Sequence, residues 1–207
     1  MTKIKLNLGS GPSGINGWLN YDSGVLPWLS RHSQLRRLVC FLGLLPKSYD
    51  VIWPETQLVD IRNRFPLDDN STDNIYCSQV LEHFELYQAQ EILREAHRVL
   101  KPGGLIRVSV PDIKKMFSLD ITPREINVLW WGYEKDIPPT NFFVKISRLF
   151  IRDHQWHYDE TSMKQLLSDS GFKNIEILSF RKGKTPDLAR VEIGIHRKHS
   201  LYIESQK

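Results

Sequence analysis

Residues 6–22 read LNLGSGPSGINGWLNYD, a strand-like run, a glycine turn and a second short run that closes on an acid. Gly9 and Gly11 let a backbone turn sharply and approach a ligand with no side chain between them. Asp22, so close behind, can accept from the two hydroxyls of a ribose. The stretch GSGPSG also matches the GxGxxG pattern of dinucleotide sites, in which the third glycine opens a helix whose N-terminus holds a pyrophosphate. Only INGWL separates Gly14 from the run carrying Asp22, whereas a parallel crossover takes about a dozen residues or more. A nucleoside without phosphates therefore fits the turn better than a dinucleotide; a tight loop with a solvated acid is the plain alternative. Asp60 falls at the end of a third strand-like run, TQLVDI. With Ile61 it can offer a carboxylate to an exocyclic amine and an apolar face to an adenine ring, although alone it also reads as a surface acid.

Histidines form the second group of reactive side chains, because an imidazole near neutral pH is the usual base for an oxygen nucleophile. His83 follows SQVLE, and His154 and His157 flank Trp156 in DHQWHYD. Asp112, after SVP, is a further candidate base or a partner for a sugar hydroxyl. Each has a structural reading as well: His83 packing or capping the next helix, the later pair bracing Trp156, and Asp112 capping a helix. Cys40 and Cys77 show neither metal-ligand spacing nor a CxxC arrangement, and no metal is expected.

Elements that could position these groups follow from patterning. Strands are expected at residues 3–8, in WLNYD, at 56–61, at 74–80 and in LIRVSV. Leu86, Ala89, Leu93, Ala96 and Leu100 keep a helical rhythm that KPGG terminates. Thr122-Pro123-Arg124-Glu125 resembles a capping box opening a helix that includes Trp130 and Trp131, and DETSMKQLLSDSGF predicts another, capped by Asp159 or Thr161. Trp130 and Trp131, with Phe142 and Phe143, read equally as an aromatic lid for a sugar ring or as a hydrophobic cap. Residues 25–45 predict a basic amphipathic helix with Leu35, Leu38, Val39 and Leu42 on one face and Arg31, Arg36 and Arg37 beside them. That helix suits an anionic partner, such as a lipid-linked saccharide, a nucleotide sugar or a membrane surface, or else a packed helix with a solvated basic edge. KNIEILSF and ARVEIGIHRK predict a last pair of strands, joined as an antiparallel hairpin at one sheet edge. The alternation of strands and helices predicts an α/β fold with a mostly parallel sheet and helices on its faces. In such sheets ligands gather beyond the carboxyl ends of the strands, which is where Gly9 to Gly14, Asp22, Asp60, Gln79 to His83 and Asp112 would meet.

The 207 residues suffice for one domain, expected to span 1–207 with insertions at about 25–55 and 118–150. Hydrophobic residues at 41% and charged residues at 25% match a folded globular chain, and a net charge of +4 permits an anionic partner without demanding one. The longest apolar run, LVCFLGLL, falls short of the ~20 residues a membrane-spanning helix needs. The N-terminus lacks a signal-peptide pattern, so the cytoplasm is the expected location. Basic residues form only a partial cluster, short of the basic and aromatic face that nucleic-acid binding would want, and no nucleic-acid partner is expected.

Taken together, LNLGSG, NYD, LVDIRNRFPLDDNSTDNIYCSQVLEHF, EILREAHRVLKPGGLIRVSVPD and HQWHYDETSMKQLLSDSGF resemble the class I S-adenosylmethionine-dependent methyltransferases, most of all small predicted ones found among polysaccharide and sugar biosynthesis proteins. The resemblance implies a Rossmann-like fold with a seven-stranded sheet, S-adenosylmethionine as cofactor and S-adenosylhomocysteine as product. It implies that Gly9, Ser10 and Gly11 lie along the methionine portion, Asp22 binds the ribose diol, Asp60 and Ile61 hold the adenine, and Gln79 and Val80 flank the sulfonium. Glu82 and His83 then lie near the acceptor, with His154 and His157 over it. Asn7 stands where the family often has an acid, and the first crossover helix is missing or reduced to a turn. The strand ending CSQVLEH lacks the Asp/Asn-Pro-Pro-Tyr motif of nucleobase amine methyltransferases. The implied activity is O-methylation of a saccharide or glycoconjugate precursor; a non-catalytic cofactor-binding scaffold and a nicotinamide-dependent oxidoreductase remain the rivals.

Overall fold

The computed structural model describes residues 3–45, 50–118, 120–131 and 153–207. Phe142, Phe143 and most of the expected 118–150 insertion lie outside the described residues. Strand β1 (Lys5–Leu8) pairs in parallel with β2 (Leu19–Asp22) on one side and β4 (Thr72–Ser78) on the other. Beyond β2 lies β3 (Thr56–Leu58), and beyond β4 the long β5 (Leu100–Pro111), both parallel to their neighbours. Strand β7 (Ser200–Gln206) runs antiparallel between β5 and the edge strand β6 (Lys173–Ile177), completing a seven-stranded sheet of order β3-β2-β1-β4-β5-β7-β6. The mostly parallel sheet and its antiparallel pair are as the sequence predicts.

Helix α1 (Val25–Ser30) and helix α2 (Ser33–Phe41) follow β2, and α3 (Leu86–Val99) follows β4. Glu85 and Gln88 form a capping box at the start of α3, which buries Ala89, Ile92, Leu93 and Ala96 against Leu6, Leu8, Ile75 and Cys77 of the sheet. Short α4 (Ile113–Ser118) and α5 (Pro123–Trp131) come next, the latter opened by mutual bonds between Thr122 and Glu125. Helix α6 (Glu160–Asp169), capped by Asp159, packs Met163, Leu166 and Leu167 onto the same core. On the opposite sheet face Trp18 and Tyr76 pack with Leu188 and Val191. That face also holds Arg107, whose guanidinium pairs with Glu192 at 2.7 Å with both side chains 0% exposed.

Two expectations are corrected. ARVEIGIHRK is not a strand: Leu188–Val191 is a helical turn, Glu192 folds inward to Arg107, and Ile195 is exposed. The last strand is SLYIESQ, buried from Ser200 to Ser205. Covered on both faces, it lacks the alternation that marks a half-exposed strand. Residues 25–45 form two helices broken at Arg31 and His32, and apolar residues expected to pack inward share their outward face with the basic ones. Arg36 is buried, bonded to Asp50 and to the Ser30 carbonyl, and Arg31 donates to the Thr56 carbonyl. Arg31 and Arg37 are exposed, and Leu35, Leu38, Phe41 and Leu42 face outward beside them.

Candidate active site

The connection from β1 to β2 is a 3-10 turn, Gly11–Ser13, and a loop, with no helix whose N-terminus could hold a pyrophosphate. The dinucleotide reading thereby loses its structural basis. Gly9 and Gly11 both have positive φ, +63° and +52°, a region that favours glycine. The Gly11 N–H donates to Asp22 Oδ2 at 2.7 Å and the Ser23 N–H to Asp22 Oδ1 at 2.7 Å, so the carboxylate at the end of β2 is fixed against the turn. Ser10 is buried and its Oγ has no hydrogen-bond partner. Asn7 donates to Asn20 Oδ1 at 3.2 Å beneath the turn. Asn20, which sequence reasoning misses, also accepts from the Ile15 N–H and donates to the Ile15, Trp18 and Glu55 carbonyls. An asparagine in a buried strand interior, where strands seldom place one, is the available signal.

Across from the turn, the first residues after β4 complete the same rim. Gln79 has φ +54°, its N–H donates to the Ser109 carbonyl, and its side-chain amide reaches Ser200 Oγ at 3.1 Å. Val80 stands directly against Gly9, at 2.4 Å from where a Cβ there would be. Asp60 lies just past β3, its carboxylate held by Arg62 Nη2 at 2.5 Å, and Ile61 is buried in the main core. The predicted cofactor residues are thus brought to one edge of the sheet, with Asn7 and Ile61 packed beneath it.

The acceptor-side candidates divide. Asp112 Oδ1 accepts from the Lys114 and Lys115 N–H groups, so its carboxylate caps α4. His83 and His154 meet edge to face with ring centroids 4.9 Å apart, and His157 lies 5.9 Å from His154. His157 stacks on Trp130 at 4.0 Å, and its Nε2 is 3.0 Å from the Trp130 carbonyl. Two backbone bonds, from the Gln155 and Trp156 N–H groups to the Glu82 carbonyl at 2.7 and 3.2 Å, clamp the histidine segment to the turn that follows β4. Glu82 is 1% exposed and neither carboxylate oxygen has a hydrogen-bond partner. Burial pushes its carboxyl up to about 8, with the backbone at Glu82 and Val80 pulling weakly the other way. Burial, with His83 and His157 adding to it, holds His154 down to about 4, so its ring is neutral at physiological pH. Sequence reasoning places Glu82 near the acceptor without giving it a role; a glutamate inside the apolar run QVLEHF is the signal.

With the strand order β3-β2-β1-β4-β5-β7-β6 the chain has the Rossmann-like fold of class I S-adenosylmethionine-dependent methyltransferases. Residues 43–108 match the family described as methyltransferase domain. The demethylmenaquinone methyltransferase of Staphylococcus haemolyticus is 28% identical over 148 residues, 65% of this chain and 53% of that protein. The chain therefore spans about half the length of the curated relatives it matches. Among solved structures, an S-adenosylmethionine-dependent methyltransferase from Mesorhizobium loti aligns with TM-score 0.53 at 19% identity, covering 100% of this chain and 91% of that one. Human N-acetylserotonin methyltransferase in complex with S-adenosylmethionine aligns with TM-score 0.52 at 15% identity, covering 99% and 47%.

Proposed function

We propose that the protein is an S-adenosylmethionine-dependent methyltransferase acting on a hydroxyl of a saccharide or glycoconjugate precursor. The observation that carries the cofactor assignment is the glycine turn at the carboxyl end of β1, where a Cβ built on Gly11 meets nothing within 4 Å and the Gly11 N–H holds the Asp22 carboxylate. Gly9, Ser10 and Gly11 would lie along the methionine portion, Asp22 would take the ribose hydroxyls, Asp60 the adenine amine, and Gln79 and Val80 the region of the sulfonium. When bound, the cofactor supplies an electrophilic methyl carbon. The protein's own part is then largely to hold the acceptor oxygen in line with that carbon, and orientation of this kind supplies much of the rate. His83 and His154 are the proposed groups to receive or orient the hydroxyl proton; held down to about 4, His154 is neutral but a weak base, which suits it to orienting the hydroxyl.

Support for a saccharide is the pair of part-exposed indoles, Trp156 at 42% between His154 and His157, and Trp131 at 36% at the end of α5, whose carbonyl accepts from the His154 N–H. The name of the S. haemolyticus relative supports a second acceptor class, the hydroxyl of a quinol. Incubation with labelled S-adenosylmethionine and either saccharide precursors or a demethylated quinol separates the two. Label in the saccharide, abolished by His83→Ala, is the expected result; label in the quinol alone overturns the saccharide assignment.

The proposal includes a cytoplasmic location with peripheral contact at a membrane surface. Among the described residues no helix is long and apolar enough to cross a membrane. Trp28, Leu35, Leu38, Phe41 and Leu42 nevertheless expose apolar side chains on α1, α2 and the residue after them, with Arg37 beside them. An apolar face with a basic neighbour suits the headgroup boundary of anionic lipid. Co-sedimentation with anionic vesicles, weakened by Phe41→Ser, is expected; no sedimentation at low salt contradicts it.

A further inference from the structure

We infer that Glu82, His83 and His154 bind a divalent transition-metal cation of the Zn²⁺ class beside the methyl-transfer rim. One ligand atom from each of the three lies within 4.8 Å of the others. Metal–nitrogen and metal–oxygen bonds of ~2.0–2.2 Å need donors roughly 3 Å apart, so side-chain rotation of about an ångström or two closes the site. Two imidazoles and one carboxylate are a ligand set for zinc and its neighbours rather than for magnesium or calcium, and three protein ligands leave a position open.

Two further observations point to a ligand. Glu82 is 1% exposed, yet both of its oxygens and His154 Nδ1 have no hydrogen-bond partner, a costly arrangement for a buried acid that coordination would relieve. The groups come from two segments distant in sequence, and the bonds from Gln155 and Trp156 to the Glu82 carbonyl hold those segments in register. His157 stays outside the set, its Nε2 engaged with the Trp130 carbonyl. The open position would take the acceptor's oxygen and lower its proton affinity, a role that replaces proton acceptance by His83 and His154, whose basic nitrogens the cation engages. That role rests on the methyltransferase reading, whereas binding of the cation does not.

The test is titration of untagged, metal-free full-length protein with Co²⁺, followed by visible absorption, with S-adenosylhomocysteine binding measured calorimetrically on the same samples. One equivalent of Co²⁺ with a ligand-field band, displaced by Zn²⁺, is expected. Glu82→Gln and His154→Ala are expected to weaken it by at least about 100-fold, since even outer-shell changes cost ~10–100-fold. Both variants are expected to keep S-adenosylhomocysteine binding, which shows that they fold. No stoichiometric Co²⁺ binding by the wild type, or binding unchanged in both variants, overturns the site. Cation binding without S-adenosylhomocysteine binding supports the site and overturns only the methyltransferase reading.

Discussion

Gly9 and Val80 touch so closely that a Cβ on Gly9 would stand 2.4 Å from Val80 Cγ2, and Gly9 also has φ +63°. Steric room and backbone conformation both require glycine there. Gly17 has φ +89° but nothing within 4 Å of a built Cβ. Gly9→Ala and Gly17→Ala therefore share the backbone strain, about 1–3 kcal/mol, and differ in the contact. Calorimetry is expected to show S-adenosylhomocysteine binding lost in Gly9→Ala and retained in Gly17→Ala.

Asp22 braces the glycine turn through the Gly11 N–H at 2.7 Å, in addition to its proposed ribose contact. Losing charge-assisted hydrogen bonds of this type costs ~1.5–3 kcal/mol each. Asp22→Ala is expected to weaken cofactor binding by tens-fold or more, and Asp22→Asn by less, in the same titration. Equal affinity for wild type and Asp22→Ala would remove Asp22 from the site.

The pair Arg107–Glu192 is fully buried, with Arg107 also bonded to the Ser179 carbonyl and its guanidinium 5.3 Å from the Tyr202 ring centre. Removing one member strands the other, at a cost of ~3–5 kcal/mol. Urea unfolding is expected to show that loss for Arg107→Met, with much of it recovered in Arg107→Met/Glu192→Leu.

Glu82 gives a pH signature in metal-free protein. Its carboxyl rises from an ordinary 4.5 to about 8 on folding. Below about 4.5 it is protonated folded or unfolded and costs nothing. As pH climbs from 4.5 to 8 the unfolded chain ionises first and stability falls; above 8 the whole cost is present. Glu82→Gln removes this dependence, so its melting temperature relative to wild type is expected to rise between about pH 5 and pH 8. A constant difference would contradict a buried, raised carboxyl.

The strands up to β5, α3, α6 and the glycine turn are legible in the sequence because turn chemistry and apolar periodicity are local signals. Strand β7 is not, since burial on both faces erases its alternation, and a decoy alternation in VEIGIH lies just upstream. The 25–45 segment misleads for a related reason. Helical spacing shows which residues share a face but not which face turns inward, and Arg36 rather than Leu35 or Leu38 is the one buried. In the site, residues adjacent in motifs can be found from the chain alone, whereas the meeting of Glu82 with His154 depends on a chain crossing that spacing does not encode.

The most direct test of the account is calorimetric titration of wild-type protein with S-adenosylmethionine and, separately, with NAD. Saturable one-to-one binding of the sulfonium compound, with none of the dinucleotide, is the predicted result. Heat from NAD alone, or from neither, would contradict a phosphate-free nucleoside site at Gly9, Asp22 and Val80.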